Sequence, residues 1–206
     1  MLIGLRKNFI FIATPKTGST AIENHLRHHA EIQLTRSLWG KHMPLAEIEE
    51  RFSWLLGRLP DMRPFVFGVI RDPVDYIVSV YNSHRKPAFS RLPQYTGRMS
   101  FEDFWRKWSE ERPFGWVFSP QISRFLDKNG QMSADYIINY ANLSTEWPAV
   151  CRRLDIPERK LDLVNRSPEG CKRADVSRHL EKAILDRFAP DVEALRDKTG
   201  KPLRQG

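Results

Sequence analysis

The sequence predicts an α/β fold in which a parallel β-sheet carries helices on both faces. Two continuous apolar runs, Phe9–Ala13 and Phe65–Ile70, have the composition of strands that are buried on both faces. Each run is followed by a polar turn and then by a segment whose apolar residues recur at helical spacing. Strands interleaved with helices are typical of a parallel sheet, and ligands of such folds bind at the carboxyl ends of the strands. The two turns are therefore the candidate binding segments.

In the first half of the chain, the spacing of apolar residues and prolines predicts further elements. Thr20–His29 is predicted as a helix because Ile22 and Leu26 lie four residues apart on one face. Glu31–Leu34 is predicted as a short strand. Pro44 marks the start of another helix, since proline is well tolerated in the first helical turn.

In the second half of the chain, Pro73 is predicted to open a helix that continues to about Asn82. Ser100–Asp103 resembles a capping box at the start of an aromatic-rich helix that ends near Glu110. Aromatic residues at this helical spacing are more typical of a buried face than of a sugar-binding platform. The later predicted elements are a strand at Tyr136–Asn139 and helices at Trp147–Leu154 and Ser177–Phe188. No repeat or linker divides the chain, so residues 1–206 are predicted to form one domain.

The charge balance favours an anionic partner. The chain has 33 Lys and Arg residues against 25 Asp and Glu, a formal charge of +8 and a pI of about 9.7. The basic residues are scattered among acidic ones, so an arm that binds nucleic acid is not predicted. No apolar run approaches the length of a membrane span. Met1–Lys7 is interpreted as a short leader, and the apolar run Phe9–Ala13 is followed by a turn motif rather than by a cleavage site. We expect a cytoplasmic protein with neither a nucleic-acid nor a membrane partner; a secreted or anchored form would need an upstream segment.

The first strand is followed by a turn that suits a phosphate group, Thr14-Pro-Lys-Thr-Gly-Ser-Thr20. Gly18 allows a tight turn, and the N–H groups of the following helix face outward with a partial positive charge. Ser19 and Thr20 add hydroxyl donors, and Lys16 adds a mobile cation. The alternative is an ordinary strand–turn–helix junction whose Ser and Thr residues only cap the helix.

The second strand, ending at Ile70, is followed by Arg71, where a P-loop ATPase or GTPase usually has an acidic residue for Mg²⁺. An arginine there is suited to bidentate phosphate binding, and Asp72 is predicted to cap the following helix. Ser79 lies about two helical turns beyond Pro73, where its hydroxyl could meet the same phosphate. The alternative is a surface arginine and a solvent-facing serine. A ligand phosphorylated at two separated points would satisfy both turns.

Together the two turns resemble the donor-binding motifs of sulfotransferases that use 3'-phosphoadenosine-5'-phosphosulfate (PAPS). Pro15–Thr20 is similar to their 5'-phosphosulfate loop, and Val69–Asn82 is similar to their 3'-phosphate motif, R-D-P-x-x-R-x-x-S. Tyr76 stands where many members have the second arginine of that motif. The resemblance implies a P-loop-like sulfotransferase fold, with PAPS as sulfuryl donor and the desulfated nucleotide PAP as product. It implies that the donor is bound by Pro15, Lys16, Thr17, Gly18, Ser19, Thr20, Arg71 and Ser79.

Three further segments resemble parts of this family, the first in its carbohydrate members and the last in its Golgi-type members. Gly40–Pro44 is similar to a His-bearing segment that lies between the two motifs. Asp135–Leu143 is similar to a late strand with its following helix, and Leu163–Pro168 to a stretch that closes over the nucleotide. The resemblance favours a carbohydrate hydroxyl as the acceptor, with a lipid, a small metabolite or a peptide tyrosine as alternatives.

The predicted reaction is an in-line displacement, in which positioning and charge neutralisation do most of the catalysis. The sulfuryl group carries less charge than a phosphoryl group, and the sequence has no metal-ligand constellation, so no metal is predicted. Lys16 is predicted to stabilise charge on the bridging oxygen as PAP leaves. His42 is predicted to accept the proton of the acceptor hydroxyl, because an imidazole is a base near neutral pH. Glu47 and Glu23 are the alternative bases. Glu23 could instead be an ordinary surface residue of the first predicted helix, without a role in catalysis.

Two other functions remain open. A P-loop kinase would use ATP and Mg²⁺, but a Walker A loop needs a glycine where Ala13 stands and a lysine after Gly18, whereas Lys16 precedes it. Arg71 also replaces the strand-end acid of such enzymes. A non-catalytic protein that binds PAP or nucleic acid is consistent with the basic charge, although two phosphate turns exceed the needs of a general polyanion binder. Such a binder would tolerate the loss of Lys16 and His42.

Overall fold

A β-sheet forms the centre of the fold. The computed structural model describes residues 1–36, 40–58, 62–110, 115–162 and 170–197. In these ranges five strands form one sheet in the order β3-β1-β2-β4-β5. The strands are β1 (Leu2–Gly4), β2 (Phe9–Ile12), β3 (Ile32–Gln33), β4 (Phe65–Ile70) and β5 (Tyr136–Asn139).

The strands β2, β4 and β5 run parallel, as predicted for the apolar segments. Ile12 pairs with Gly68, and Ile70 pairs with Asn139. All residues of β2 and β4 are buried, which explains the continuous apolar composition of both strands. Because these strands are parallel neighbours, the turns that follow β2 and β4 lie at the same edge of the sheet.

One side of the sheet differs from the predicted parallel arrangement. β1 pairs antiparallel with both β2 and β3, so the sheet is mixed. The interpretation of Met1–Lys7 as a leader is wrong, because this segment contains β1, and Leu2 and Ile3 are fully buried. The run of apolar residues is too short to signal a strand by itself. Its pairing depends on a hairpin that turns at Asn8, a residue type that tolerates the left-handed φ of 51° found there.

Helices cover both faces of the sheet, as predicted. In the described residues the α-helices are α1 (Ser19–Leu26), α2 (Leu45–Arg51), α3 (Ser53–Leu56), α4 (Pro73–Ser83), α5 (Phe101–Glu110), α6 (Leu143–Arg153), α7 (Arg178–Arg187) and α8 (Ala189–Asp197). The predicted first helix ends as a 3-10 turn over Arg27–His29, and α6 begins at Leu143 rather than at Trp147. The sequence did not predict α8.

The start of α4 follows the predicted capping. Asp72 Oδ1 accepts hydrogen bonds from the N–H groups of Val74 at 3.0 Å and Asp75 at 3.1 Å. Pro73 occupies the first helical turn, where its missing N–H group costs nothing. Since both signals are local, the helix begins at the predicted residue, immediately after the strand end.

Three clusters of buried side chains make up the core. On one face of the sheet, β2 and β4 pack against α1 and α6. On the other face they pack against α2 and the 3-10 helix Gln121–Phe125. The third cluster lies between α4, α5 and α7 and contains Phe104 and Trp108, with Phe101 and Trp105 packed at its margin. The interpretation of the aromatic residues of α5 as core is therefore confirmed.

Candidate active site

The turn after β2 folds into a loop at the N-terminus of α1. Gly18 caps this helix with a φ of 73°, and its carbonyl oxygen accepts the N–H of Ala21 at 2.9 Å. Thr17 Oγ1 donates to the carbonyl oxygen of Thr14 at 2.8 Å, which closes the loop on itself. Because the first N–H groups of a helix have no intrahelical acceptor, this loop is suited to binding an anion.

Lys16 has a strained backbone conformation within this loop. Its φ of 62° lies in the left-handed region, which costs a non-glycine residue roughly 1 kcal/mol or more. Burial, together with the positive charges of Lys86 and Arg71, lowers the pKa of Lys16 to about 8. In the described ranges no acidic side chain forms a salt bridge with Lys16. A bound anion would relieve this excess of positive charge.

Arg71, the first residue after β4, lies against the loop Thr14–Thr20, here named the phosphate loop after its predicted ligand. Its Nη1 atom donates a long hydrogen bond of 3.4 Å to the carbonyl oxygen of Lys16. Its guanidinium carbon lies 4.7 Å from the centre of the Tyr140 ring, a cation–π contact. Arg71 Nε and Thr14 Oγ1 are buried without a hydrogen-bond partner among the described residues. Buried polar atoms are normally hydrogen bonded, so both atoms fit a polar ligand bound at this edge.

The backbone of Arg71 is held by a side chain that is distant in sequence. Gln121 Oε1 accepts the N–H of Arg71 at 3.0 Å, and Gln121 Nε2 donates to its carbonyl oxygen at 2.8 Å. The carboxylate of Asp191 in α8 accepts from Gln121 Nε2 at 3.1 Å and from the Gln121 backbone N–H at 2.9 Å. These contacts define the path of the chain where it leaves β4.

The other two positions of the predicted 3'-phosphate motif lie on α4. Ser79 is 9% exposed, and its contact with a phosphate stays a prediction. Tyr76 is 1% exposed, and its ring packs against Phe188 with the ring centres 6.0 Å apart. Burial raises the pKa of Tyr76, and Arg124 and Asp191 are the charged groups that act on it. Tyr76 therefore belongs to the core, and this position offers no cation to a ligand.

His42 lies beside the phosphate loop. Its Nδ1 atom donates to the carbonyl oxygen of Ala13 at 2.6 Å, which favours the neutral tautomer with the lone pair on Nε2. The pKa of His42 is lowered to about 4, chiefly by burial and further by the positive charges of Arg124, Lys41 and the amino terminus; the bond to Ala13 opposes this effect. The imidazole is thus neutral at pH 7 and able to accept a proton, but the expected basicity near neutral pH is not found in the free protein, because burial and the neighbouring positive charges make the ring a weaker base.

The two alternative bases, Glu23 and Glu47, are both in ion pairs. Glu23 is 4% exposed, and its Oε2 accepts from Lys41 Nζ at 2.7 Å. The interpretation of Glu23 as helix surface is therefore wrong, because the segment that carries Lys41 covers it. Lys41 Nζ also donates to Thr20 Oγ1 at 3.2 Å, so the pair adjoins the phosphate loop. Glu47 pairs with Arg51 on α2 at 2.6 Å. Each carboxylate therefore has a structural role as an ion-pair partner, and neither needs a catalytic role to explain its position.

Sequence reasoning missed several residues of this site. Lys86 follows α4, and its positive charge adds to the effect of burial in lowering the pKa of Lys16. The only indication of this residue in the sequence is its position shortly after the second motif. Gln121 and Tyr140 carry no local pattern, because they reach Arg71 only through tertiary contacts. The segment Leu163–Pro168 lies outside the described residues, so its closure over a nucleotide stays a prediction.

The described part of the chain shows neither a metal site nor a membrane-spanning helix. No group of three or more His, Cys, Asp or Glu side chains there could hold a metal ion. Every helix in these residues falls short of the length and apolar character needed to cross a membrane.

A comparison with known families gives one match. A family model described as the sulfotransferase family matches residues 1–191. The matched range contains the five strands, the phosphate loop, His42, Arg71 and Ser79. No curated protein and no solved structure matches the chain.

Proposed function

Since the chain belongs to the sulfotransferase family, we propose that it transfers a sulfuryl group from PAPS to an acceptor hydroxyl. The observation that carries the proposal is the 3.4 Å contact between Arg71 Nη1 and the carbonyl oxygen of Lys16, which joins two cationic turns at one edge of the sheet. Within the described ranges neither side chain forms a salt bridge with an acid. A ligand with phosphate groups at two points would supply the missing negative charge.

The proposed donor site combines the phosphate loop with the end of β4. The loop and the first N–H groups of α1 would hold the 5'-phosphosulfate, and Arg71 with Ser79 would hold the 3'-phosphate. The buried, unpartnered Arg71 Nε and Thr14 Oγ1 support this placement. The proposed donor-binding residues are Pro15, Lys16, Thr17, Gly18, Ser19, Thr20, Arg71 and Ser79.

Bound PAPS would supply an activated sulfuryl group. Lys16 would donate to the oxygen on which negative charge develops, and with a pKa of about 8 it is mostly protonated at pH 7. His42 would accept the proton of the acceptor hydroxyl at Nε2, since its Nδ1 proton is bound to the carbonyl oxygen of Ala13. The two side chains would thus have complementary roles: Lys16 stabilises the charge of the leaving group, and His42 accepts the proton of the acceptor hydroxyl.

We propose a carbohydrate hydroxyl as the acceptor. The support is the similarity of Gly40–Pro44, which carries His42, to the His-bearing segment of carbohydrate sulfotransferases. A lipid, a small metabolite and a peptide tyrosine are the classes that an acceptor screen would compare. A cytoplasmic location, without a nucleic-acid or membrane partner, is part of the same proposal.

Calorimetric titration tests the donor. We expect the purified protein to bind PAP and to prefer it to AMP, which lacks the 3'-phosphate, and to ATP with Mg²⁺. Arg71→Ala should weaken PAP binding by about 100-fold and remove the preference over AMP, because a phosphate–guanidinium contact is a charge-assisted, bidentate interaction. Arg106→Ala is the matched control, since Arg106 pairs with Asp103 on the exposed face of α5.

The same titration, together with an assay of PAP release from PAPS, distinguishes the alternatives. A protein that prefers ATP with Mg²⁺ would be a kinase rather than a sulfotransferase. PAP binding that survives in Arg71→Ala would remove Arg71 from the donor site. A protein that binds PAP but releases none from PAPS with any acceptor class would be a non-catalytic binder.

A further inference from the structure

We propose that the 3-10 helix Gln121–Phe125, here named the bridging turn, positions the nucleotide-binding arginine and the candidate base together. It binds the backbone of Arg71 through Gln121 and the backbone of His42 through Arg124. This inference rests on the proposed function, which assigns Arg71 to the donor and His42 to the acceptor. The residues of the bridging turn are positioning residues, because they act through these two groups.

Gln121 replaces strand pairing at the point where β4 leaves the sheet. Ile70 is the last residue of β4 to pair with β5, opposite Asn139. At the next residue, Arg71, the Gln121 amide accepts from the backbone N–H at 3.0 Å and donates to the carbonyl oxygen at 2.8 Å. A side-chain amide is both donor and acceptor, so it satisfies both backbone groups at once. An apolar side chain here would leave the backbone of Arg71 without this partner.

Asp191 sets the orientation of that amide. It is fully buried in α8 and accepts three hydrogen bonds, from the Gln121 backbone N–H at 2.9 Å, Gln121 Nε2 at 3.1 Å and the Ile122 N–H at 2.8 Å. Because a carboxylate only accepts, it selects the amide orientation in which Nε2 faces Asp191 and Oε1 faces the N–H of Arg71. The anchor of the bridging turn is therefore a residue of the last described helix.

Arg124 connects the same turn to the candidate base. Its side chain is buried, and its Nη1 atom donates to the carbonyl oxygen of His42 at 2.6 Å. The imidazole of His42 is bound separately, through Nδ1 to the carbonyl oxygen of Ala13. Main chain and side chain of His42 are thus both held, which is how a proton acceptor is fixed in one orientation.

Close packing against the sheet limits the movement of the bridging turn. Phe125 is fully buried beside Gly68 of β4. A Cβ atom on Gly68 would meet the Phe125 ring at 2.5 Å and the carbonyl oxygen of Ile12 at 2.8 Å, so the absence of a side chain permits this approach. Because Phe125 belongs to the bridging turn and is packed against β4, it holds the turn, and with it the contacts to Arg71 and His42, in one place on the sheet.

Two single variants separate the two contacts. Gln121→Met should weaken PAP binding about tenfold, because the backbone of Arg71 loses both of its bonds to the amide. Asp191 loses one bond but keeps the two from backbone N–H groups, and no bond to His42 is removed, so the His42 tautomer should stay unchanged. Arg124→Met should change the His42 tautomer ratio, because release of the His42 main chain weakens the bond from Nδ1 to Ala13 that selects the tautomer. It should also raise the pKa of His42, because a neighbouring positive charge is lost, while PAP affinity stays within about threefold. Calorimetry with PAP measures the first effect. Nitrogen NMR of the histidine ring measures the second without an acceptor.

Matched controls exclude general destabilisation. Gln33 Nε2 donates to two backbone carbonyl oxygens outside the site, those of Arg27 at 2.6 Å and Ala30 at 3.0 Å. Arg187 Nε donates to the carbonyl oxygen of Phe118 at 2.9 Å. Gln33→Met and Arg187→Met remove comparable bonds and should change neither readout. If Arg124→Met does not fold, Arg124→Lys replaces it; it should keep the pKa of His42 low, because the charge is retained, and change only the tautomer ratio. If Gln121→Met does not fold, Asp191→Asn replaces it; it should weaken PAP binding, because the Gln121 amide loses the carboxylate that orients it, and leave the His42 tautomer unchanged.

The outcomes are distinguishable from failure of the proposed function. A wild-type protein that does not bind PAP overturns the proposed donor. A wild type that binds PAP, with unchanged affinity in Gln121→Met and an unchanged His42 tautomer ratio in Arg124→Met, overturns the positioning role of the bridging turn. Equal losses in Gln121→Met and Gln33→Met would also overturn it, because loss of stability would then explain the effect.

Discussion

His42 donates its Nδ1 proton to the carbonyl oxygen of Ala13 at 2.6 Å, so the candidate base is fixed to the residue immediately before the phosphate loop. This bond joins a loop ahead of α2 to the end of the parallel strand β2. It places the proton acceptor and the anion site next to each other, and it leaves Nε2 as the basic nitrogen of the neutral ring. Four predictions follow from the chemistry of this edge of the sheet.

Loss of the imidazole should affect turnover rather than nucleotide binding. We expect His42→Ala to reduce turnover by about 10²- to 10⁴-fold, the usual contribution of a general base, with PAP affinity within about threefold of wild type. The measurements are PAP release from PAPS with a hydroxyl acceptor and calorimetry with PAP. His179→Ala, at an exposed position of α7, is the control. Near-normal turnover in His42→Ala would remove His42 from the mechanism.

Nucleotide binding should make His42 more basic. In the free protein its pKa is lowered to about 4 by burial and by the charges of Arg124, Lys41 and the amino terminus. A bound anion favours the protonated imidazole, so PAP should raise the pKa of His42 by roughly one unit. NMR titration of the histidine ring with and without PAP measures this change. A pKa that PAP leaves unchanged would contradict the placement of the nucleotide beside His42.

PAP affinity should fall as the pH rises through about 8, the pKa of Lys16 in the free protein. Below this pH Lys16 is charged and ready to pair with the anion. Above it the side chain must take up a proton on binding, so the association constant decreases by up to about tenfold per pH unit. The phosphates of PAP are already ionised in this range, since their second pKa is about 6. Calorimetry in buffers of different ionisation enthalpy should detect proton uptake near pH 8, and uptake that persists in Lys16→Met would assign it to another group.

Removing the charge of Lys16 should stabilise the free protein. The pKa of Lys16 falls from 10.5 to about 8 on folding, so its charged form costs free energy in the folded state at neutral pH. We expect Lys16→Met to raise the free energy of unfolding by roughly 1–2 kcal/mol at pH 7, after allowing for partial solvent exposure. The difference should shrink between pH 8 and 10.5, where the folded protein has lost the proton that the unfolded chain keeps. Urea denaturation at pH 7 and pH 10 measures both.

Lys107→Met, at an exposed position of α5, is the control for this substitution. A neutral or destabilising Lys16→Met at pH 7 would show that packing of the lysine stem outweighs its buried charge. The stabilised variant should bind PAP at least tenfold more weakly, because the cation of the phosphate loop is lost.

Short-range signals explain the parts of the fold that were predictable from the sequence. The apolar runs of β2 and β4 mark strands buried on both faces, and they depend only on residues within the run. Asp72 and Pro73 specify the start of α4 in the same local way. Because the two strands are parallel neighbours, the turns containing Lys16 and Arg71 were also predictable as candidate binding segments.

Contacts between distant residues decided the rest. β1 becomes a strand only by pairing with β2 and β3. Glu23 is buried because Lys41 covers it, and Gln121 reaches Arg71 in an orientation set by Asp191, 70 residues away from Gln121. A sequence shows which side chains can donate, accept or carry charge, but which of them meet depends on sheet register and helix packing. Those depend on the whole chain, so the positioning of this site emerges only when the tertiary structure forms.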